Sequence, residues 1–145
     1  MSYREIVEKY RRWVDDEAGK NGLSASLVYA VIRQESSGRS EAKSNCGCIG
    51  LMQVSEGALT DYNVKHRTHI VMAELYVPQV NIMVGCWYLA WLIQRLGNTF
   101  DALRAYNIGI GTVRKGKTLN GSDGTKYAKS VLDHEAQFIL TLANV

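Results

Sequence analysis

Apolar residues recur with helical spacing along much of the chain. In the first such segment, about residues 3–18, charged residues separate the apolar positions Ile6, Tyr10, Trp13 and Val14. This pattern predicts an amphipathic surface helix, which Asn21-Gly22 would end. Ser24 then has the chemistry of an N-cap and predicts a second helix that continues to about Ser36.

The second half of the chain predicts three more helices. Pro78 fits the first turn of a long helix that ends near Gly97, and its broad apolar surface indicates a central, buried position. A shorter helix is expected from about residue 99 to 106, stopping at 107–111, and a last one from about Thr125 to the C-terminus. The polar stretch 37–48 predicts a loop, and residues 61–77 show no clear periodicity of apolar residues. Since no segment alternates as a strand would, we expect a mainly α-helical fold.

Length and composition are typical of one globular domain spanning residues 1–145. The chain has 46% hydrophobic and 21% charged residues, a single proline and no low-complexity stretch. Its formal net charge of +3 suits an anionic polymer as partner, without the dense basic clusters of nucleic-acid binders. No segment predicts membrane insertion, and the charged N-terminus lacks a signal-peptide core. We therefore expect a monomer that is made in the cytoplasm.

The three cysteines do not predict a disulfide framework. Cys46 and Cys48 would form a very tight loop, and one cysteine always stays unpaired, so free thiols buried as small apolar side chains are the simpler interpretation. A metal-dependent alternative would combine His66 and His69 with Cys46 or Cys48. The sequence offers no third and fourth ligand at the spacing of usual metal sites. We therefore expect no metal and no cofactor.

Glu35 interrupts an otherwise apolar pattern. It lies one turn after Val31 and Ile32, on the side of the helix that should face the core, in the last turn of that helix. Desolvation and the negative end of the helix dipole both favour the protonated carboxyl, which is what a general acid needs near neutral pH. The alternative is a structural glutamate paired with Arg33 or Arg39.

Three sequence blocks point to a known family. They are Glu35-Ser36-Ser37-Gly38, Gly47-Cys48-Ile49-Gly50-Leu51-Met52-Gln53, and Ala105-Tyr106-Asn107-Ile108-Gly109-Ile110-Gly111. In order and spacing these blocks resemble the soluble lytic transglycosylases and goose-type lysozymes. The resemblance covers roughly residues 23–138 and implies a lysozyme-like helical domain split by a glycan-binding cleft. Independently of the family, Gly47 and Gly50 are expected to let the backbone turn tightly and approach a ligand. Gly109 and Gly111 are expected to allow left-handed conformations after Asn107.

The resemblance also implies roles for individual residues. Glu35 would be the single indispensable acid, with Tyr127 within hydrogen-bonding distance of it. The sugar-binding residues would be Ser36, Ser44, Met52, Gln53, Tyr106 and Asn107, with Met52 forming an apolar wall. The expected substrate is therefore the glycan strand of peptidoglycan.

The carboxylates favour a transglycosylase over a hydrolase. Ordinary glycosidases need a second carboxylate near the acid, but no aspartate occurs from Glu17 through Thr60, and Ser55 stands where goose-type lysozymes typically have one. We therefore predict cleavage by the substrate's own acetamido and hydroxymethyl groups, giving anhydromuramyl ends. Hydrolysis assisted by Glu56 or a bound water stays an alternative, as does a non-catalytic peptidoglycan-binding module.

The N-terminus and the size suggest a biological context. An enzyme of this kind without a signal peptide is expected to be a phage-type endolysin that accumulates in the host cytoplasm and reaches the cell wall or periplasm through a holin-type pore. A tail-associated lysin or an enzyme of a secretion machine would have a similar sequence.

Overall fold

The computed structural model describes all residues, 1–145, and is mainly α-helical. Seven α-helices and one 3-10 helix occur in this order: α1 Tyr3–Lys20, α2 Ala25–Ser36, α3 Glu56–His66, the 3-10 helix Met72–Tyr76, α4 Pro78–Leu96, α5 Thr99–Ile108, α6 Ile110–Arg114 and α7 Thr125–Leu142. There is no β-sheet, only isolated bridges such as those that Ile49 forms with Lys43 and Val54. The mainly helical prediction is therefore confirmed.

The helix ends follow the capping chemistry of the sequence. The Ser24 hydroxyl accepts a hydrogen bond from the Leu27 N–H and caps α2, as predicted. Pro78 occupies the first turn of α4, and Gly97 ends that helix in a left-handed conformation, with φ of 83°. The predicted limits of α1, α2, α4 and α7 are correct to within about three residues.

Helix α2 lies at the centre of the core. It packs against α1 on one side and most extensively against α7 on another, and Val28, Tyr29, Ala30, Val31 and Ile32 are fully buried. An apolar helix in this position carries its C-terminal residues to a fixed place in the fold. The location of Glu35 is thus set by the burial of the residues before it.

Two short helices differ from the sequence prediction. Helix α3 falls in a region without a clear pattern because it buries only Ala58, Leu59 and Tyr62, too few to create a marked stripe. Helix α5 continues to Ile108, and α6 begins after one intervening residue, Gly109. Gly109 has φ of 92°, as expected, but Gly111 does not have a positive φ because it lies within α6.

The long helix α4 is central, but not buried on all sides. Asn81, Val84, Gly85 and Leu89 are buried, whereas both tryptophans of α4, Trp87 and Trp91, are partly exposed. No helix is long and apolar enough to cross a membrane.

The cysteines are free thiols in three different environments. Cys86 is buried, as predicted, whereas Cys46 is exposed and Cys48 is half-buried. The interpretation as buried apolar side chains is therefore correct only for Cys86.

Candidate active site

The most distinctive polar contact in the molecule joins α2 and α7. The Tyr127 hydroxyl donates a hydrogen bond to Glu35 Oε2 at 2.7 Å, across 92 residues of sequence. Next to it, the Ser130 hydroxyl donates to Gln34 Oε1 at 2.6 Å. The sequence prediction that Tyr127 lies within hydrogen-bonding distance of Glu35 therefore agrees with the geometry.

Burial controls the protonation of Glu35. Desolvation raises the pKa of its carboxyl from 4.5 to about 7, and the hydrogen bond from Tyr127 opposes this rise because it stabilises the ionised form. At neutral pH the group is thus present in both protonation states. A carboxyl poised in this way can both donate and accept a proton, as a general acid that later acts as a base must do.

No ion pair neutralises Glu35. Arg33 Nη1 donates instead to the Met1 carbonyl oxygen at 2.9 Å, and Arg39 Nε to the Ser36 carbonyl oxygen at 3.2 Å. Neither arginine forms a salt bridge. The alternative interpretation of Glu35 as a structural partner of these arginines is therefore wrong.

No second carboxylate acts on Glu35 either. The pKa of Glu35 is set by burial and by Tyr127, with no contribution from another acid. Glu56, the alternative second carboxylate, lies in the first turn of α3 and is exposed to solvent. Glu35 thus stands as an isolated acid.

A tight loop, residues 49–53, lies beside the acid and is held by Asn81 of α4. The fully buried Asn81 side chain accepts from Met52 N–H at 2.8 Å and donates to the carbonyl oxygens of Ile49 and Leu75, at 2.7 and 2.8 Å. Gly50 packs directly against Asn81, with φ of 79°, so a side chain there would meet both steric and backbone strain. This one amide therefore fixes the shape of the 49–53 loop.

Gln53 ends this loop in a left-handed conformation, with φ of 51°. Its Nε2 donates to the carbonyl oxygens of Ala42 and Gly50, at 3.1 and 3.0 Å. The side chain is only partly buried. The amide nitrogen is thus committed to the backbone, and Oε1 is the polar atom of Gln53 that has no partner within the chain.

Tyr106 of α5 closes the other side of the site. Its hydroxyl donates to the Met52 carbonyl oxygen at 2.6 Å. Burial and then the Glu35 charge raise its pKa, so the phenol stays protonated. A cavity of about 230 Å³ lies between this helix and the 49–53 loop, and its lining includes Cys48, Gln53, Ser55, Tyr88, Tyr106 and Asn107.

Two predicted sugar-binding residues are buried instead. Met52 is fully buried and its sulfur packs toward Gly85 of α4, so it cannot form an apolar wall of the cleft. Ser36 is 2% exposed, and its hydroxyl bonds to the carbonyl oxygens of Ile32 and Leu51, at 3.1 and 2.8 Å. Ser36 thus ties the loop to α2 and does not face a ligand.

The remaining predicted residues are accessible. Asn107 is exposed at the cavity, and Ser44 is exposed in the preceding loop, where its hydroxyl accepts from the Cys48 N–H at 3.1 Å. Sequence reasoning missed Asn81, Cys48 and Tyr88 as parts of the site. A polar residue between Val80 and Ile82, within the apolar stretch of α4, was the available signal for Asn81.

The histidines do not form a metal site. His66 stacks on Tyr62 with 3.9 Å between ring centroids, and its Nδ1 lies 3.0 Å from the Tyr62 carbonyl oxygen. No group of three or more His, Cys, Asp or Glu side chains is close enough to hold a metal ion. His134 is partly buried, and its Nδ1 lies 2.8 Å from the Tyr3 hydroxyl.

The chain is a helical domain in which one desolvated acid, Glu35, does not line the cavity itself but acts electrostatically on Cys48 and Tyr106, which do. This arrangement is the one expected of the lysozyme-like class. Within that class, the model of the Transglycosylase SLT domain matches residues 12–129, so the chain belongs to the SLT-domain family.

Curated relatives extend the match along most of the chain. The soluble lytic murein transglycosylase of Salmonella typhimurium is 31% identical over 137 residues, 90% of this chain and 20% of that protein. The membrane-bound lytic murein transglycosylase F of Pseudoalteromonas translucida is 30% identical over 83% of this chain and 25% of its own length. The chain thus spans a quarter or less of these relatives.

Solved structures confirm the fold. An inactive mutant of the lytic transglycosylase Slt of Pseudomonas aeruginosa matches with a TM-score of 0.81 and 29% identity, over 92% of this chain and 24% of that one. The 70-kDa soluble lytic transglycosylase of Escherichia coli matches with a TM-score of 0.82 and 25% identity, over 94% and 26%.

Proposed function

We propose that the chain is a peptidoglycan lytic transglycosylase, which cleaves the β-1,4 bond between N-acetylmuramic acid and N-acetylglucosamine. The observation that carries this proposal is the isolated Glu35, whose pKa of about 7 is set by burial and the Tyr127 hydrogen bond alone. The names of the relatives supply the substrate class. Because those relatives are several times longer, the activity of this chain needs its own test.

In the proposed reaction Glu35 donates one proton and then accepts another. Its carboxyl first protonates the bridging oxygen, so that the glycosidic bond breaks and the N-acetylglucosamine leaves with a free hydroxyl, while the muramyl acetamido oxygen bonds to the anomeric carbon. The Glu35 carboxylate then takes the proton of the muramyl C6 hydroxyl. The C6 oxygen replaces the acetamido oxygen and closes the 1,6-anhydro ring, so no water is consumed and the acid is regenerated.

The other site residues have supporting roles in this proposal. Tyr127 holds the carboxyl in place and assists as a catalytic residue, while Gln53 Oε1, Ser44 and Asn107 bind acetamido and hydroxyl groups of the sugars. Tyr106 keeps the loop and α5 at a fixed separation through its bond to the Met52 carbonyl oxygen. Ser36 and Met52 contribute only through the position of the loop.

The first experiment compares Glu35→Gln with Glu56→Gln on purified peptidoglycan. Glu35→Gln should abolish the release of muropeptides, because an amide cannot protonate the leaving oxygen. Glu56→Gln, at an exposed position, should retain the wild-type rate. If Glu35→Gln retained near-wild-type activity, the proposed acid would be wrong. If neither the wild type nor any variant released products, the chain would be a binding module.

Digestion in heavy-oxygen water separates the two enzyme mechanisms. The anhydro ring closes with an oxygen of the substrate, so the new muramyl ends should carry no label and be lighter by one water than hydrolytic ends. Labelled reducing ends would instead indicate a goose-type lysozyme mechanism, and loss of that activity in Glu56→Gln would identify its second carboxylate.

A phage-type endolysin is the biological context that we propose. The net charge of +3 suits an enzyme that acts on an anionic wall polymer. Expressed in a bacterial host, the chain should lyse cells only when a holin-type pore is co-expressed. Lysis by the chain alone would contradict this context and leave the enzymatic proposal unaffected.

A further inference from the structure

An aromatic and cationic surface lies away from Glu35, where α4 meets α3 and the end of α1. It is an open cavity of about 510 Å³ whose lining includes Trp87, Trp91, Lys20, Lys65, Gln94 and Arg95. We call it the Trp91 surface. Its lining shares no residue with that of the 230 Å³ cavity and contains three cations where that cavity has none, so it differs from the candidate active site in position and in charge.

The two tryptophans lie one helical turn apart on α4. Their ring centroids are 6.4 Å apart, with an angle of 27° between the ring planes. Both side chains are partly exposed, although large aromatic side chains on a central helix would be expected in the core. A pair of accessible indoles in a concave site is a platform on which the apolar faces of sugar rings can stack.

The cations of the surface are only partly neutralised. Lys20 pairs with Asp16 and Glu17, at 3.1 and 3.7 Å. Lys65 and Arg95 form no ion pair, and the Arg95 guanidinium lies 5.0 Å from the centroid of the Trp91 ring. A lining that contains two indoles and two cations without an acidic partner complements a ligand that combines sugar rings with carboxylates.

One pair of rings connects this surface to the candidate active site. Trp91 stacks on Tyr88, with 6.0 Å between centroids and 13° between planes, and Tyr88 lines the 230 Å³ cavity beside Tyr106. Helix α4 therefore carries both sites. A single polymer, or two neighbouring strands of one, is a suitable occupant for both.

We propose that the Trp91 surface is a second, non-catalytic binding site for peptidoglycan, resting on the proposed function for the identity of the polymer. The indoles stack on the sugar rings, and Lys65 and Arg95 bind carboxylates of the peptide stems. Attachment at this surface raises the effective concentration of the wall around Glu35 and keeps the protein on an insoluble substrate between cuts.

The test measures co-sedimentation with purified sacculi in a Glu35→Gln background, so that the substrate stays intact. Trp91→Ala and the double variant Lys65→Gln/Arg95→Gln should each weaken binding roughly threefold to tenfold, as expected for the loss of aromatic or charged contacts. The charge variant should also reduce the salt dependence of binding. Because Lys65 and Arg95 are exposed, this variant keeps the test valid even if Trp91→Ala folds poorly.

Helix α1 offers a matched control. Trp13 is also partly exposed and has the Arg12 guanidinium 4.5 Å from its ring centroid, but neither residue lines the Trp91 surface. Trp13→Ala and Lys9→Gln/Arg12→Gln remove the same chemical groups elsewhere and should bind like the parent protein. If they weakened binding as much as the Trp91-surface variants, general charge and hydrophobicity would explain the effect and the proposal would be overturned.

Activity assays keep this proposal separate from the proposed function. With Glu35 intact, Lys65→Gln/Arg95→Gln should cleave short soluble glycan strands at the wild-type rate and sacculi several times more slowly. If the wild type were active and the Trp91-surface variants bound and cleaved sacculi normally, only the second binding site would be overturned. The surface would then be a candidate site for a protein partner. A wild type that releases no muropeptides would overturn the proposed function itself.

Discussion

Glu35→Gln should stabilise the folded protein in a pH-dependent way. Burial raises the pKa of Glu35 from 4.5 to about 7, so the unfolded chain loses this proton at lower pH than the folded chain does. Below about pH 4.5 both states hold the proton and the wild type has its full stability. As the pH rises toward and through 7, ionisation favours the unfolded state and the wild type loses stability, whereas the amide variant does not.

The expected magnitude follows from the same two values. At about 1.4 kcal/mol for each unit of pKa, the full difference between 4.5 and about 7 corresponds to about 3.5 kcal/mol. Because Glu35 is partly exposed, solvent screening reduces this, and we expect about 2 kcal/mol. This loss of stability on ionisation is the energetic cost of burying a carboxyl that can still donate a proton near neutral pH.

Urea unfolding of both proteins, at about pH 4 and about pH 8.5, measures this effect. The free energy of unfolding of Glu35→Gln should exceed that of the wild type by about 2 kcal/mol more at the higher pH than at the lower one. Glu56→Gln, which removes an exposed carboxylate, is the control and should show no comparable change. An equal difference at both pH values would show that Glu35 is not desolvated, and the argument for a general acid would fail.

Three further substitutions test the support of the site. Tyr127→Phe removes a hydrogen bond that lowers the pKa of Glu35, so the alkaline limb of the pH–rate profile should move to higher pH. We expect kcat to fall roughly tenfold to hundredfold, with little change in glycan binding. An unchanged pH–rate profile would contradict this role. Asn81→Ala leaves buried groups of the 49–53 loop without partners and should cost about 3 kcal/mol or more in urea unfolding. Ser36→Ala should cost about 1–2 kcal/mol but bind glycan like the wild type; weakened binding by a fully folded variant would restore Ser36 as a ligand contact.

Most of the helical framework could be predicted from local signals. Single residues signal the helix ends: Ser24 caps α2, Pro78 begins α4 and Gly97 ends it. The limits predicted from these residues agree with the structure. Helix α3 was missed because its few buried side chains leave no periodic stripe. Its stability comes from packing against α4, which the local sequence does not encode.

The candidate site could also be predicted only in part from the sequence. Glu35 stands out because a carboxyl follows an apolar stripe, and the family resemblance predicted that Tyr127 and Gln53 lie near it. Sequence blocks do not say which way a side chain points, so Met52 and Ser36, inside those blocks, were taken for ligand contacts although both are buried. The exposure of Trp87 and Trp91 was unpredictable for the same reason.

The hydroxyl of Ser36 fastens the 49–53 loop to the residue that directly follows Glu35. The acid and this wall of the cavity are therefore one mechanical unit, and a substrate that needs more room cannot obtain it by moving this loop without also moving the acid. The opposite wall, formed by α5, is tied to this loop only at Tyr106, through its bond to the Met52 carbonyl oxygen. The exposed Asn107 side chain, at the end of α5, forms no hydrogen bond with the loop or with α2. An engineer who wished to change which glycans are accepted would therefore vary the Asn107 side and leave the protonation of Glu35 undisturbed.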